Sequence, residues 1–219
     1  MRESVCAPAR LRYSATMAEI KTLFVTKLYR ATLDEAATLN VDLLKSSRLV
    51  AAEDKAGRRW SNENGYRGYT SYASLNDLPR RDPSFATLKL ALDKHAAVFA
   101  RVLHLDLDRR KLKLDSIWIN MLEPGGVHTG HIHPNCALSG TYYVDTPAGA
   151  SALKLEDPRH PMMMAAPPRA AHAPEEERTF VYIAPKAGEV LMWESFVRHE
   201  VPPNAAKTAR VSISFNYSW

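Results

Sequence analysis

Gly126-Val-His-Thr-Gly-His-Ile-His-Pro134, followed by Ser139-Gly-Thr-Tyr-Tyr-Val144 and, far downstream, by His199 and Arg210-Val-Ser-Ile-Ser-Phe-Asn216, is the pattern on which the reading of this chain turns. On a strand, residues i and i+2 point to the same face, so His131 and His133 set two imidazoles side by side. Neutral imidazole suits iron, zinc, copper and nickel. A third ligand from a distant strand closes a facial triad and leaves positions open for oxygen or substrate; His199, just before the Glu200-Val-Pro-Pro turn, is the candidate. A lone histidine is more often a core or surface residue with a backbone partner, and that reading holds for His95, His104, His160 and His172. The cluster reverses it for His131, His133 and His199. His128 is then spare, either a supporting donor or a surface group.

Arg210 offers a planar fork suited to a carboxylate, and Ser212 faces the same way along a strand. Buried in a barrel, such an arginine is costly unless an anion meets it. Taken alone it reads as a strand-edge residue paired to a glutamate. Joined to His199 at this spacing, it becomes a candidate for binding a dicarboxylate cosubstrate.

Outward from these motifs the hydrophobic spacing changes character along the chain. Residues 20–29 alternate as a short strand, and 33–53 have helical spacing with Asp34 and Glu35 near the start. Residues 56–73 are polar and rich in glycine and aromatics, which reads as a loop or irregular strand. Pro83 opens a second amphipathic helix that runs to about residue 103. Strand patterns then occupy 111–122, 139–144, 152–155, 179–183, 189–193 and 211–217, with a Met-, Pro- and Ala-rich loop at 160–178. Helices first and many short strands afterwards predict an α+β, mainly β fold, a sandwich or barrel with helices on one side. Residues 17–219 are expected to form one domain, with helical support over about 33–104 and the β core over about 111–219. Residues 1–16 read as a disordered leader or the product of a start codon upstream of Met17.

The combination of His131-Ile-His133-Pro134, Ser139–Val144, Asp157-Pro-Arg159, Gly188-Glu-Val-Leu-Met-Trp193, His199 and Arg210-Val-Ser212 resembles the 2-oxoglutarate–Fe(II) oxygenases. More narrowly, it is similar to a bacterial and phage subgroup without assigned substrates. The likeness spans roughly residues 20–219, with specific motifs only after about residue 115. It implies a double-stranded β-helix (jelly roll, cupin-like) in which Fe(II) is bound by His131, His133 and His199. It also implies that 2-oxoglutarate chelates the iron and reaches Arg210 and Ser212 with its distal carboxylate. Oxygen would cleave it to succinate and carbon dioxide as a substrate C–H bond is hydroxylated. Tyr143 or Asn120, on neighbouring strands, is placed to contact cosubstrate or substrate, and of Tyr142 and Tyr143 only one faces inward.

One departure stands out. His133 occupies the position at which the wider superfamily carries HxD or HxE, and Asp145, Glu156 and Asp157 lack the i+2 relation to His131. Two alternatives therefore stay open: a cupin-like three-histidine metalloenzyme that does not use 2-oxoglutarate, and a non-catalytic barrel that only binds. Asp157-Pro-Arg159 by itself reads as a turn closed by an ion pair, with Arg159 able to reach the mouth.

Composition narrows the function classes. The 219 residues, 46% hydrophobic and 24% charged, suffice for a packed core. A formal charge of +5 invites a nucleic-acid reading. The basic residues are scattered, however, and the pairs Arg58-Arg59, Arg80-Arg81 and Arg109-Arg110 have acidic neighbours, so a solvated surface is favoured. Cys6 and Cys136 form no CxxC and no disulfide framework, which predicts a reduced, cytoplasmic setting. No apolar run spans a membrane. The substrate stays unassigned, a small molecule or a protein side chain, with the basic balance favouring an anion and the aromatics of 60–72 lining the entrance. The helices at 33–53 and 83–104 would cover the barrel or form a homodimer face.

Overall fold

The computed structural model describes residues 19–219; the leader expected at 1–16 and Cys6 lie outside them. The alternation along the last strand shows how the layers are built. Its odd-numbered residues Val211, Ile213, Phe215 and Tyr217 enter a large apolar cluster, while Arg210, Ser212, Ser214 and Asn216 point the other way.

The chain runs β1 (Tyr29–Thr32), α1 (Ala36–Glu53), α2 (Lys55–Glu63), β2 (Gly68–Thr70), α3 (Leu78–Arg81) and α4 (Pro83–Val102). There follow β3 (Lys113–Leu122), β4 (His128–His131), β5 (Leu138–Asp145), β6 (Leu153–Glu156), β7 (Phe180–Ile183), β8 (Glu189–Glu194), β9 (His199–Val201) and β10 (Arg210–Ser218). Two antiparallel sheets result, ordered β1-β8-β5-β10-β3-β2 and β4-β9-β6-β7. This is the expected mainly β jelly roll with helices on one side.

The outer face of the six-stranded sheet buries Ile117, Ile119, Tyr142, Val190, Met192 and Phe215 against Phe85, Leu88, Leu92 and Phe99 of α4. Pro83 at its first turn and the Asp82 carboxylate accepting from Ser84 N–H fix the start of α4. The inner face holds a smaller cluster of Tyr143, Leu153, Ile183, Leu191, Trp193 and Val197 between the two sheets. Among the described residues no helix is long and apolar enough to cross a membrane.

Two local expectations are corrected. No strand forms over 20–28: Ile20, Leu23, Phe24 and Val25 are exposed, and pairing begins only where Tyr29 meets Met192. The stretch from 55 to 63 is helical rather than irregular, because Asp54 caps α2 by accepting from Gly57 N–H, and Gly57 and Ser61 pack inward. Only 68–70 of that segment is strand, paired to β3.

Candidate metal centre

His131 ends β4 and faces His199, the first residue of β9, in direct register across the smaller sheet. His133 lies two residues beyond β4, so the two-residue spacing works through a short extended loop rather than a strand. That loop is held by His133 N–H donating to the Ser195 carbonyl at 3.1 Å. The three residues bring one ligand atom each to within 4.8 Å of one another.

Two of the rings are oriented by the backbone. His131 Nδ1 is 2.7 Å from the Thr129 carbonyl and His199 Nδ1 is 2.9 Å from that of Val197. Nδ1–H therefore donates in each, which leaves the Nε2 lone pair free for a metal. His133 differs, its Nδ1 lying 3.4 Å from Asn216 Nδ2. Burial, reinforced by the neighbouring imidazoles, pushes His199 down to about 3 and His133 down to about 4. Both are thus neutral at ordinary pH, the protonation state that ligates metal. No carboxylate joins the cluster among the described residues. Glu156 is taken by Arg198 and His160, and Asp157 by Arg159 in the expected ion-paired turn. Imidazole nitrogen donors at this separation fit Fe(II) as well as zinc or nickel.

The same cavity, about 320 Å³, is lined by Arg210, Ser212 and Asn120 as well as the three histidines. Arg210 is only 3% exposed. Its guanidinium lies over the Tyr143 ring at 5.1 Å, and neither Nε nor Nη1 has a hydrogen-bond partner. The glutamate pairing that a strand-edge arginine would adopt is absent among the described residues; Glu189 instead binds Arg30. Ser212 stands opposite Asn120 on β3 and Tyr143 on β5, so the four residues named from sequence meet around one strand. They are not equivalent. The Tyr143 hydroxyl is buried and unpartnered, whereas Asn120 is engaged at both ends, accepting from Thr70 Oγ1 and donating to Ser214 Oγ.

Sequence reasoning missed several lining residues. Thr141 Oγ1 and Trp193 Nε1 are also buried without partners, and Trp193 packs edge-on to His199 with centroids 4.7 Å apart. Both lie two residues from an inward-facing position on their strands, which is the signal that would have found them. His128, left as spare, is 2.8 Å from the Tyr66 hydroxyl through Nε2 and lines the cavity; burial, then the charge of Arg210, holds it down to about 3. Arg58 and Arg59, expected to sit beside acids, have no ion pair among the described residues, while Arg81 does pair with Asp77.

With this geometry in hand, residues 116–216 match the model of a family described as "Putative 2OG-Fe(II) oxygenase". No curated protein matches the sequence significantly. Among solved structures, the chain is similar to the non-heme α-ketoglutarate-dependent epimerase SnoN from nogalamycin biosynthesis, with TM-score 0.59, 16% identity, and 87% of this chain and 76% of that one covered. It is also similar to a Pseudomonas putida prolyl-4-hydroxylase (TM-score 0.58, 17% identity, 88% and 92% covered). A third is HygX from Streptomyces hygroscopicus with nickel and 2-oxoglutarate bound (TM-score 0.55, 15% identity, 89% and 83% covered). At these identities the structural likeness establishes the fold.

Proposed function

We propose that the chain is a 2OG-Fe(II) oxygenase, that His131, His133 and His199 hold the iron and that Arg210, with Ser212, binds the distal carboxylate of 2-oxoglutarate. The observation that carries this reading is the pairing, in one cavity, of a three-imidazole cluster with a buried arginine whose Nε and Nη1 lack hydrogen-bond partners. A buried guanidinium without a counterion is expensive, and a dianionic cosubstrate offsets that cost. Three neutral ligands also leave the charge of a divalent metal uncompensated, which favours an anionic chelator.

When bound, iron supplies the redox centre at which oxygen oxidises 2-oxoglutarate to succinate and carbon dioxide while a substrate C–H bond is hydroxylated. The protein's own part is positional. The carbonyls of Thr129 and Val197 fix the orientation of His131 and His199. Arg210, stacked over the buried Tyr143 ring, presents donors to the cavity and would set how deep a dicarboxylate lies. Asn120, already engaged twice, shapes the wall rather than seeking a ligand. The cysteine pattern supports a cytoplasmic setting.

The test is titration of 2-oxoglutarate into anaerobic, Fe(II)-loaded protein, watching the weak visible charge-transfer band of keto-acid chelation. A saturable band that is lost in Arg210→Ala, with iron still bound, is expected. Bound iron with no band would overturn the cosubstrate assignment and favour a three-histidine centre that works without 2-oxoglutarate.

A further inference from the structure

The cavity has a second half that the cosubstrate does not account for. Trp60, Tyr72 and Trp118 form an aromatic series ending on His133, with centroid separations of 6.3, 5.2 and 5.8 Å. The two aromatic pairs meet edge to face, so each contact covers a face of only one of its two rings. Tyr72 is 55% exposed and Ile132, on the same rim, 47%.

Polar groups divide the cavity. On the Arg210 side the buried donors are orphaned. Beside the aromatic wall they are satisfied internally: Thr70 donates to Asn120, and Asn120 donates to Ser214. Charge divides it likewise. The only charged residues lining it, among those described, are Arg210 and Glu200, and Glu200 is neutralised by Lys154 at 2.7 Å. A ligand group against this wall therefore meets aromatic rings, with their indole N–H and phenol O–H groups, and no free charge. The volume of about 320 Å³ is at the low end for ligand sites. With a cosubstrate inside, it admits one compact group while the rest of the substrate lies outside.

Resting on the oxygenase reading above, we propose that the substrate class is a molecule that inserts an uncharged aromatic or heteroaromatic ring against Tyr72 and Trp118, bringing a C–H bond on or next to that ring to the metal. The anionic substrate suggested by the overall basic charge is not what this wall selects.

The experiment uses the full chain loaded with redox-inert Zn(II) and 2-oxoglutarate, with binding of both measured calorimetrically. p-Cresol is then titrated by ligand-observed NMR beside p-toluate, 4-methylbenzylamine and 4-methylcyclohexanol, which separate charge from planarity. p-Cresol is expected to bind tightest, and Tyr72→Ala to weaken it about two- to tenfold while leaving 2-oxoglutarate affinity unchanged. Equal binding of a charged or saturated analogue, no binding of p-cresol, or indifference to Tyr72→Ala would overturn this inference alone. Failure of 2-oxoglutarate to bind would remove the oxygenase reading and this one together.

Discussion

The two faces of β10 are made by the same nine residues, yet folding completes only one of them. On the outer face Val211, Ile213, Phe215 and Tyr217 are at most 2% exposed, and nearby buried hydroxyls are partnered: Tyr217 donates to Asp93 and Tyr142 to Asn40. On the inner face and its neighbours, Arg210, Tyr143, Thr141 and Trp193 supply five of the six buried side-chain atoms without partners among the described residues; the sixth is Ser47 Oγ. Unmet buried polar atoms cost stability. Their concentration on one face marks surface that a ligand completes. The outer face is thus a core, and the inner face is the receptor on the reading proposed above.

The largest expected effect breaks the core side. Phe215 is fully buried, and its ring lies where a side chain on Gly140 would have to go. Phe215→Ala should cost about 3–5 kcal/mol of stability. Denaturant unfolding measures it, and a loss under about 1 kcal/mol would mean the outer face is not the closed core described.

On the receptor side the sign reverses. Arg210→Leu removes a buried charge without a counterion, so the protein free of cosubstrate should be unchanged or more stable by about 1–3 kcal/mol. Added 2-oxoglutarate should raise the melting temperature of the wild-type chain but not of the variant. Destabilisation of the ligand-free variant comparable to that of Phe215→Ala would erase the distinction between the faces.

The same contrast explains what the sequence disclosed. Alternation along 211–217 and the helical spacing from Pro83 were legible because a buried apolar face writes its period into the chain. The histidine cluster was legible because three like ligands at unusual spacing are rarely accidental. The exact backbone was not: His131 and His133 share a site across a strand end, which the i, i+2 rule does not foresee. Helix α2 was hidden because glycine and polar residues mask its period, and its start depends on Asp54 capping Gly57. Strand alternation could have placed Thr141 and Trp193 on the inner face, but that their polar atoms are orphaned is defined by partners they lack in space, which no local pattern shows.

The smallest effect lies at the start of α4, in the helical layer that covers the outer face of β10. Asp82 caps α4, and its carboxylate accepts from Ser84 N–H and Oγ and from Ser46 Oγ of α1. Burial tends to raise its pKa, but the hydroxyls of Ser84 and Ser46 and the Ser84 N–H outweigh it, so the net shift is downward. Because the folded value lies below the unfolded one of about 3.9, the carboxylate contributes its full stability above that pH. The contribution is lost as pH falls through the folded value. Asp82→Asn keeps the cap but replaces charge-assisted bonds with neutral ones, for a loss of about 0.5 kcal/mol at neutral pH. That difference should be flat from neutral pH down to about pH 4.5 and shrink below it. Urea unfolding of both proteins across the range measures it, with metal and 2-oxoglutarate affinities expected to stay the same. A difference that grows on acidification, or a change in ligand affinity, would show that the helical layer and the receptor face are energetically coupled.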